Sequence, residues 1–431
     1  MPLSTGKDQH PGELKLNRRK FLKNSALATA TVVFPMVLPS SVIGADSPSN
    51  RINFGFIGVG GRGSGLLANF VARSIVQPIA ICDVDKAHRD RHENLKCAMY
   101  GDYRQLLQHK DIDVVVIATP DHWHGEIAMA AARAGKDIYC EKPLTNYVSE
   151  GRDMANTLAL YQRILQTGAQ QRSATEFRVA CELVRNGYLG DVKRVEIFLP
   201  ENSRGNPVNW QPEKVPDGFD YNMWLGPAPW APYTKARCHY NFRFIMDYAG
   251  GQMANWGAHH FDIVQWAMDA DNSGPIEIED TGGQFPEDGL FTTATRIDYR
   301  YKYENGTEVI VKTRETGDKP GSIHFIGSEA TVVVDRGYFR SSLGSPQNIK
   351  FKSTDKLLYK SLDHGQDFID SIITRSQPIS NIEIGHRSAS VCHLGNIAMR
   401  LGKKLKWDPR AERFDDAQAN RLLTNPKRVG W

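Results

Sequence analysis

The apolar run at 52–57 closes on Gly58-Val59-Gly60-Gly61-Arg62-Gly63, and an amphipathic stretch begins directly behind it. Strand, glycine turn and helix in this order leave few folds open. Glycines at such a junction permit a tight turn and let backbone N–H groups approach a pyrophosphate, which then sits at the positive end of the helix dipole. The pattern alone is weak; its surroundings strengthen it. Asp83 stands 25 residues after Gly58, at the end of a second apolar run. A carboxylate in that place takes the ribose hydroxyls of NAD and repels the extra phosphate of NADP. The expected cofactor is therefore NAD rather than NADP, with Arg62 as the one group able to hold the additional phosphate.

The same rhythm continues along the chain. Runs at 79–82, 114–118 and 137–140 read as strands, helices over 65–71 and 127–134 lie between them, and 166–170 reads as a sixth strand. Such alternation makes a doubly wound parallel sheet, here a first domain over 51–171. Beyond it the texture changes. A helix over 175–186 ends near Gly187 and Gly190, and 192–199 opens a set of strands of different character. Segments 292–303, 308–314, 322–327 and 331–335 alternate like antiparallel strands, with Glu304-Asn305-Gly306 as a hairpin signal. Helices are expected over 255–268, 364–374 and 386–401, and the tail from Trp407 on the surface. The fold class is thus α/β, with a second α+β domain over 172–401 built on a large, mostly antiparallel open sheet, then a tail over 402–431. The stretch 201–250, rich in Pro, Gly, Trp and Asn, is too long for a plain connection and reads as a binding surface or a subunit contact.

Charge narrows the partners. The net charge of +4 on 431 residues is accounted for by 1–45, which hold six bases and two acids. A near-neutral body gives no electrostatic reason to bind nucleic acid. The basic start, a moderately apolar 25–38 broken by Pro35, and a small-residue exit at Gly44-Ala45 read as a signal peptide, with no stable membrane insertion. Asn17-Arg18-Arg19-Lys20-Phe21-Leu22-Lys23 resembles the twin-arginine export signal, which implies a periplasmic address and a protein that travels folded with its cofactor inside. Six scattered cysteines, Cys82, Cys97, Cys140, Cys181, Cys238 and Cys392, lack metal-type spacing and read as buried thiols, a disulfide or two in an oxidising periplasm being the alternative; no metal site is expected.

Three segments carry chemistry. Thr119-Pro120-Asp121-His122-Trp123-His124 ends the fourth strand, where a crevice sets side chains against the nicotinamide half of a cofactor. Thr119, Pro120 and His124 are expected at the cofactor; His122 reads equally well as packing, and the two histidines have no third ligand at a metal spacing. Glu141-Lys142-Pro143 ends the fifth strand. Alone it would be a solvated loop, but here it supplies a proton-handling amine where a nicotinamide ring would lie, with Glu141 against the cofactor. In the second domain, Gly250-Gly251 leads through Asn255, Trp256, His259 and His260 to Asp262. Positions 255, 259 and 262 share one helical face, so Asn255, His259 and Asp262 are expected to converge on a cleft beside Lys142. Among Asn202, Arg204, Asn206, Trp210, Tyr240, Asn241, Arg243, Tyr248 and Trp256, types that stack on pyranose faces and bond hydroxyls, Arg243 and Trp256 are the preferred substrate contacts, together with His259 and His260.

Glycine turn, acid after the second strand, Glu141-Lys142-Pro143 and the Gly-Gly to His-x-x-Asp segment, in this order, resemble the Gfo/Idh/MocA oxidoreductase family over 51–401. The resemblance implies an NAD(P)-binding Rossmann domain, a second domain whose open sheet mediates homodimers or homotetramers, and a sugar or polyol substrate between the two. The family's lysine maps onto Lys142 and its histidine onto His259. Its usual aspartate, four residues before that histidine, maps onto Asn255, where this sequence departs from the pattern. An amide cannot carry the charge that raises histidine basicity, so more of the work falls on Lys142 and His259. The expected function is an exported NAD-dependent oxidoreductase for a secondary hydroxyl of a sugar or glycoside, its cofactor tightly held because soluble nicotinamide is not expected to be recycled outside the cytoplasm. The alternative is a redox glycosidase that oxidises the ring transiently, eliminates the glycosidic substituent and reduces back, without the usual carboxylate pair. A non-catalytic carbohydrate-binding protein is the third reading.

Overall fold

A computed structural model describes residues 51–202, 205–313 and 322–431. The leader at 1–45, Arg204 and Arg314 lie outside these residues. The first six strands, β1 (Ile52–Ile57), β2 (Val76–Cys82), β3 (Ala98–Tyr100), β4 (Val114–Ile117), β5 (Asp137–Cys140) and β6 (Leu165–Thr167), form a parallel sheet in the order β3-β2-β1-β4-β5-β6. Every residue of β4 and β5 is buried, which is why β4 reads as a continuous apolar run without alternation, while β5 opens on Asp137, buried in an ion pair with Arg375. Helices α1 (Gly61–Val71), α2 (His124–Arg133) and α3 (Val148–Tyr161) connect the strands. Strand order reverses between β1 and β4, and the crevice opens at their carboxyl ends. The sixth strand is shorter than expected, because the chain leaves the sheet at Gly168 and coils into a 3-10 turn over Gln170–Ser173.

After α4 (Thr175–Arg185), a second sheet is built from β7 (Val192–Leu199), β8 (Glu277–Asp280), β9 (Asp298–Lys302), β10 (Glu308–Thr313), β11 (Ile323–Gly327), β12 (Thr331–Asp335), β13 (Tyr338–Ser341), β14 (Lys404–Asp408) and β15 (Arg413–Phe414). Its order is β13-β12-β11-β7-β10-β9-β8-β14-β15, and only β7 with β10 runs parallel. Helices α4, α5 (Ala258–Ala267) and α7 (Ile382–Leu401) cover one face of this sheet, over Val195, Ile197, Tyr299, Tyr301, Val309, Val311 and Phe325. Alternation along β10, with Val309 and Val311 buried and Lys312 exposed, is the pattern of a sheet with one covered face. Helix α6 (His364–Thr374) instead packs Phe368 and Ile369 into the core of the first sheet, with Phe54, Phe70 and Tyr139.

Several local expectations need correction. The tail does not lie on the surface: β14 pairs with β8, and Trp407, 5% exposed, packs against Phe414 with ring centroids 4.8 Å apart. The strand expected over 292–303 is confined to β9, since Thr292 turns away to bond Phe244 and Met246. Helix α7 starts at Ile382, four residues earlier than expected, because the Asn381 side chain caps it by accepting from the Ile384 N–H. The helix expected over 255–268 begins as a π-helical turn, Met253–Gly257, before α5.

Residues 205–250 form a covering layer with its own core of Phe219, Tyr221, Trp224, Tyr233, Phe242 and Tyr248. It is tied to the loop after β2 by Lys86 N–H donating to the Gly218 carbonyl at 2.9 Å and Asp220 N–H to the Val84 carbonyl at 3.0 Å. All six cysteines are free, and all but Cys97 are buried. No helix among the described residues is long and apolar enough to cross a membrane.

Candidate active site

The glycine turn is fixed by close packing. Gly58 has φ +81°, and a Cβ on Gly63 would come 1.8 Å from the Gly58 carbonyl oxygen, so the first turn of α1 sits directly on the loop. A Cβ on Gly61 would meet nothing within 4 Å; it would project into the open cradle. Asp83 bounds the cradle on the β2 side. Its Oδ2 accepts from Val59 N–H at 2.8 Å and its Oδ1 from Asp85 N–H at 2.9 Å, while His88 Nδ1 lies 3.2 Å from Oδ2. Opposite, Thr119 Oγ1 is buried without a partner among the described residues. Tight turn, open space at Gly61, a positioned carboxylate and an unpaired hydroxyl fit a dinucleotide.

Sequence spacing gave no hint of one feature at this end. Asp85, His88 and His239, the last from the covering layer, bring potential ligand atoms within 4.8 Å of one another. The Asp83 carboxylate raises the His88 pKa against the opposing effect of burial. The expectation of no metal rested on spacing alone, and spacing cannot register residues 151 apart.

At the other end, β4 delivers Thr119, Pro120 and Asp121, and β5 delivers Glu141 and Lys142, to a cavity of about 710 Å³. Burial raises the Asp121 pKa. His122 is packing, as one of its two readings had it. Its Nε2 lies 3.1 Å from the Trp224 carbonyl, and burial lowers its pKa to about 4. His124 faces two carbonyls, Nδ1 at 2.9 Å from Pro143 O and Nε2 at 3.0 Å from Thr119 O, and so joins the two strand ends. Glu141 accepts from Arg62 Nε at 2.8 Å, which carries the ion pair across the glycine turn.

Lys142 Nζ donates to the Asn255 backbone carbonyl at 2.7 Å and approaches Asn255 Oδ1 at 3.3 Å. The π-helical turn presents both acceptors; such turns are frequent where a helix serves a site. The Asn255 amide is held the other way round by Gln252, whose Oε1 accepts from Asn255 Nδ2 at 3.1 Å and whose own Nε2 donates to the Glu201 carbonyl at 2.9 Å. Position 255 must therefore offer a donor to Gln252, which an amide can do and an ionised carboxylate cannot. The departure from aspartate is built into its surroundings. Burial lowers the Lys142 pKa against Asp121 and Glu141. Burial lowers the His259 pKa well below its usual value, with Lys142 and Arg336 adding to the effect, which favours the neutral imidazole; among the described residues its Nδ1 has no partner.

One member of the expected trio, Asp262, and one expected substrate contact, His260, lie outside the cavity. Asp262 points away from the cavity and binds Arg172, Nε to Oδ2 at 2.8 Å, and accepts from Ser388 Oγ at 2.8 Å. His260 is fully buried behind Trp256, ring centroids 6.1 Å apart, and does not line the cavity. Both follow from the wider π turn and from the second-domain core, which claims the far side of α5. Of the expected sugar contacts, Tyr240, Arg243 and Trp256 line the cavity. Trp210 stacks under Arg237, Asn206 holds the loop at Asp288–Phe291, Asn241 bonds the Ala236 carbonyl, and Tyr248 packs on His122 and Trp224.

One lining residue had no sequence signal. Arg336, in the turn between β12 and β13, reaches the cavity with its guanidinium carbon 4.9 Å from the centre of the Trp256 ring. With the Gln171 amide oriented to satisfy both ends, Gln171 donates to the His259 carbonyl at 2.8 Å and accepts from Arg336 Nε at 3.2 Å.

Comparison with known proteins agrees with this geometry. Residues 52–169 match the description "Oxidoreductase family, NAD-binding Rossmann fold", and residues 203–431 match "Oxidoreductase family, C-terminal alpha/beta domain". Among curated proteins, a "Glycosyl hydrolase family 109 protein" of Shewanella pealeana is 29% identical over 227 residues, 47% of this chain and 49% of that protein. A "Glycosyl hydrolase family 109 protein 2" of Shewanella sp. (strain ANA-3) is 32% identical over 224 residues, 46% of this chain and 48% of that protein. The chain thus spans about half the length of the curated relatives it matches. A solved structure titled "Levoglucosan dehydrogenase, complex with NADH" shares the fold at TM-score 0.61 and 17% identity, covering 83% of this chain and 99% of that one.

Proposed function

The chain belongs to the Gfo/Idh/MocA oxidoreductase family with an NAD-binding Rossmann domain, and on that premise we propose that it oxidises a secondary hydroxyl of a sugar or glycoside. The observation that carries this reading is that Lys142 and His259 open onto the same cavity as the glycine cradle. NAD, when bound there, supplies the hydride acceptor. Lys142 takes the hydroxyl proton onto Nζ as the carbon–hydrogen bond breaks, and its lowered pKa makes the neutral amine accessible. The neutral His259 hydrogen-bonds the substrate oxygen and so holds it beside Lys142. Tyr240 and Trp256 offer aromatic faces to the ring.

A second reading is a redox glycosidase, and two observations favour it. The matched relatives are named glycosyl hydrolases, and the covering layer closes over the adenosine end, which suits a cofactor that ends each turnover in its starting state. In that scheme the ring ketone acidifies the neighbouring C–H, His259 removes that proton, and the glycosidic substituent leaves. Water adds to the resulting double bond, and the ketone is reduced by the same hydride. Absorbance near 340 nm and sugar release, followed together on a panel of glycosides, separate the schemes. Ketone with lasting reduced cofactor marks the dehydrogenase, and sugar release without net reduction marks the glycosidase. Bound sugar with neither would leave a carbohydrate-binding protein and sink both.

We also infer export by the twin-arginine route, from Arg18 and Arg19 in their basic setting. Replacing both by lysine is expected to hold the protein in the cytoplasm on cell fractionation; undiminished export would refute the route.

A further inference from the structure

The charges lining the cavity do not balance at the substrate end. Asp83 and Asp85 belong to the adenosine end, beside His88. Glu141 is taken by Arg62 at 2.8 Å. Lys142, Arg243 and Arg336 remain, and none of them has a carboxylate within ion-pairing distance among the described residues. Lys142 is held by a carbonyl and an amide oxygen. Arg243 bonds the Tyr240 carbonyl at 3.0 Å and lies 4.6 Å over the Tyr240 and Phe242 rings. Arg336 lies 4.9 Å over Trp256. Among the described residues, Asp121 is the one carboxylate of the lining left to oppose them, and it is buried at the strand end. Position 255, next to Lys142, carries an amide with no charge.

From this we propose that the substrate is an anionic sugar, bearing a carboxylate or sulfate ester on its ring, and that Arg336 and Arg243 receive that group. The inference rests on the sugar-oxidising function proposed above and names its substrate class. A cleft lined by one sign of charge concentrates ligands of the other sign. Arg336 spends only its Nε–H, on Gln171, and Arg243 only one Nη1–H, on the Tyr240 carbonyl, among the described residues, so each guanidinium keeps terminal N–H donors for a carboxylate, a charge-assisted pairing that a hydroxymethyl group cannot form. Arg336 stands on Trp256, beside Asn255 and one helical turn from His259. That places it with the proton-transfer groups and apart from the adenosine end.

The test uses the full protein with its bound cofactor and glycosides matched except at one ring substituent: hydroxymethyl, carboxylate or sulfate ester. Binding is read by calorimetry and turnover by absorbance near 340 nm, at low and at high salt. The anionic members are expected to bind about 30-fold or more tightly than the neutral one at low salt, with the ratio shrinking as salt is added. Arg336→Gln is expected to collapse that ratio by at least 10-fold, Arg336→Lys to give an intermediate ratio, and Arg243→Gln to act in the same direction as Arg336→Gln. Carboxylate preferred over sulfate, or the reverse, identifies the substituent. A wild-type ratio near one overturns the proposal. So does an Arg336→Gln protein that keeps the ratio but loses NAD on dialysis, since Arg336 would then serve the cofactor. Anionic sugars that bind with the expected ratio yet cause neither cofactor reduction nor sugar release leave this proposal standing and refute the redox function; equal turnover of neutral and anionic sugars does the opposite.

Discussion

Replacing Lys142 by methionine is expected to lower the rate of cofactor reduction by about 100- to 10,000-fold, the range that a positioned proton-transfer group contributes. Methionine keeps most of the length and the apolar stem but removes the amine that bonds Asn255 at 2.7 Å. The wild-type rate should climb with pH at unit slope, since only the neutral amine accepts the hydroxyl proton. Its midpoint should fall below the ordinary lysine value of about 10.4, because burial disfavours the ammonium. Asn255→Asp sets a carboxylate beside Nζ, stabilises the ammonium, and should move that midpoint upward by about one unit. The same change loses the donor that Gln252 requires. In the Lys142→Met protein the pH-dependent limb should disappear. A variant with a wild-type circular dichroism spectrum and an undiminished 340 nm rate would remove Lys142 from the mechanism.

Why Lys142 could be found in the sequence, and Arg336 could not, is a matter of how each reaches the site. Lys142 follows a strand of a parallel sheet, and such strands announce themselves as short, mostly apolar runs, β4 and β5 being buried at every residue. Counting strands from the glycine turn then places Asp83, Thr119 and Lys142 along one sheet edge. Arg336 enters from the hairpin between β12 and β13, and nothing local distinguishes it from any other turn arginine. His239 is likewise delivered to Asp85 and His88 by the fold of the covering layer alone. Helical spacing did place Asn255 and His259 together, but it assumed a uniform helix. The π turn at Met253–Gly257 alters the phase, and the spacing rule says nothing of Arg172, which claims Asp262 for the core. The tail was misread for a related reason. Lys404–Asp408 has the alternating burial of a strand, yet its partner β8 lies more than 120 residues earlier.

Arg172→Met is expected to destabilise the protein by about 3–5 kcal/mol, the cost of breaking a buried ion pair by removing one partner. Arg172 and Asp262 are 1% and 2% exposed, and Arg172 also binds Asp271 at 2.6 Å and lies 5.0 Å over the Trp266 ring. The arginine belongs to the 3-10 turn that leaves the first sheet, whereas Asp262 lies on α5, so this pair fixes the helix carrying His259 to the end of β6. Without the guanidinium, the Asp262 carboxylate keeps the Ser388 hydroxyl as its remaining side-chain donor, deep in the core. The neighbouring Gln171, which bonds the His259 carbonyl and Arg336, shares the same turn. Lost stability should therefore come with a weakened substrate site. Denaturant unfolding checks the first part, and the second is read as a rise in KM under conditions where the variant remains folded. Neutralising the orphaned acid in Arg172→Met/Asp262→Asn should recover part of the loss, because an uncharged amide is less costly to bury than an unpaired carboxylate. If the double variant is no more stable than Arg172→Met, the buried charge is not the origin of the effect, and the stacking of Arg172 on Trp266 must carry it instead.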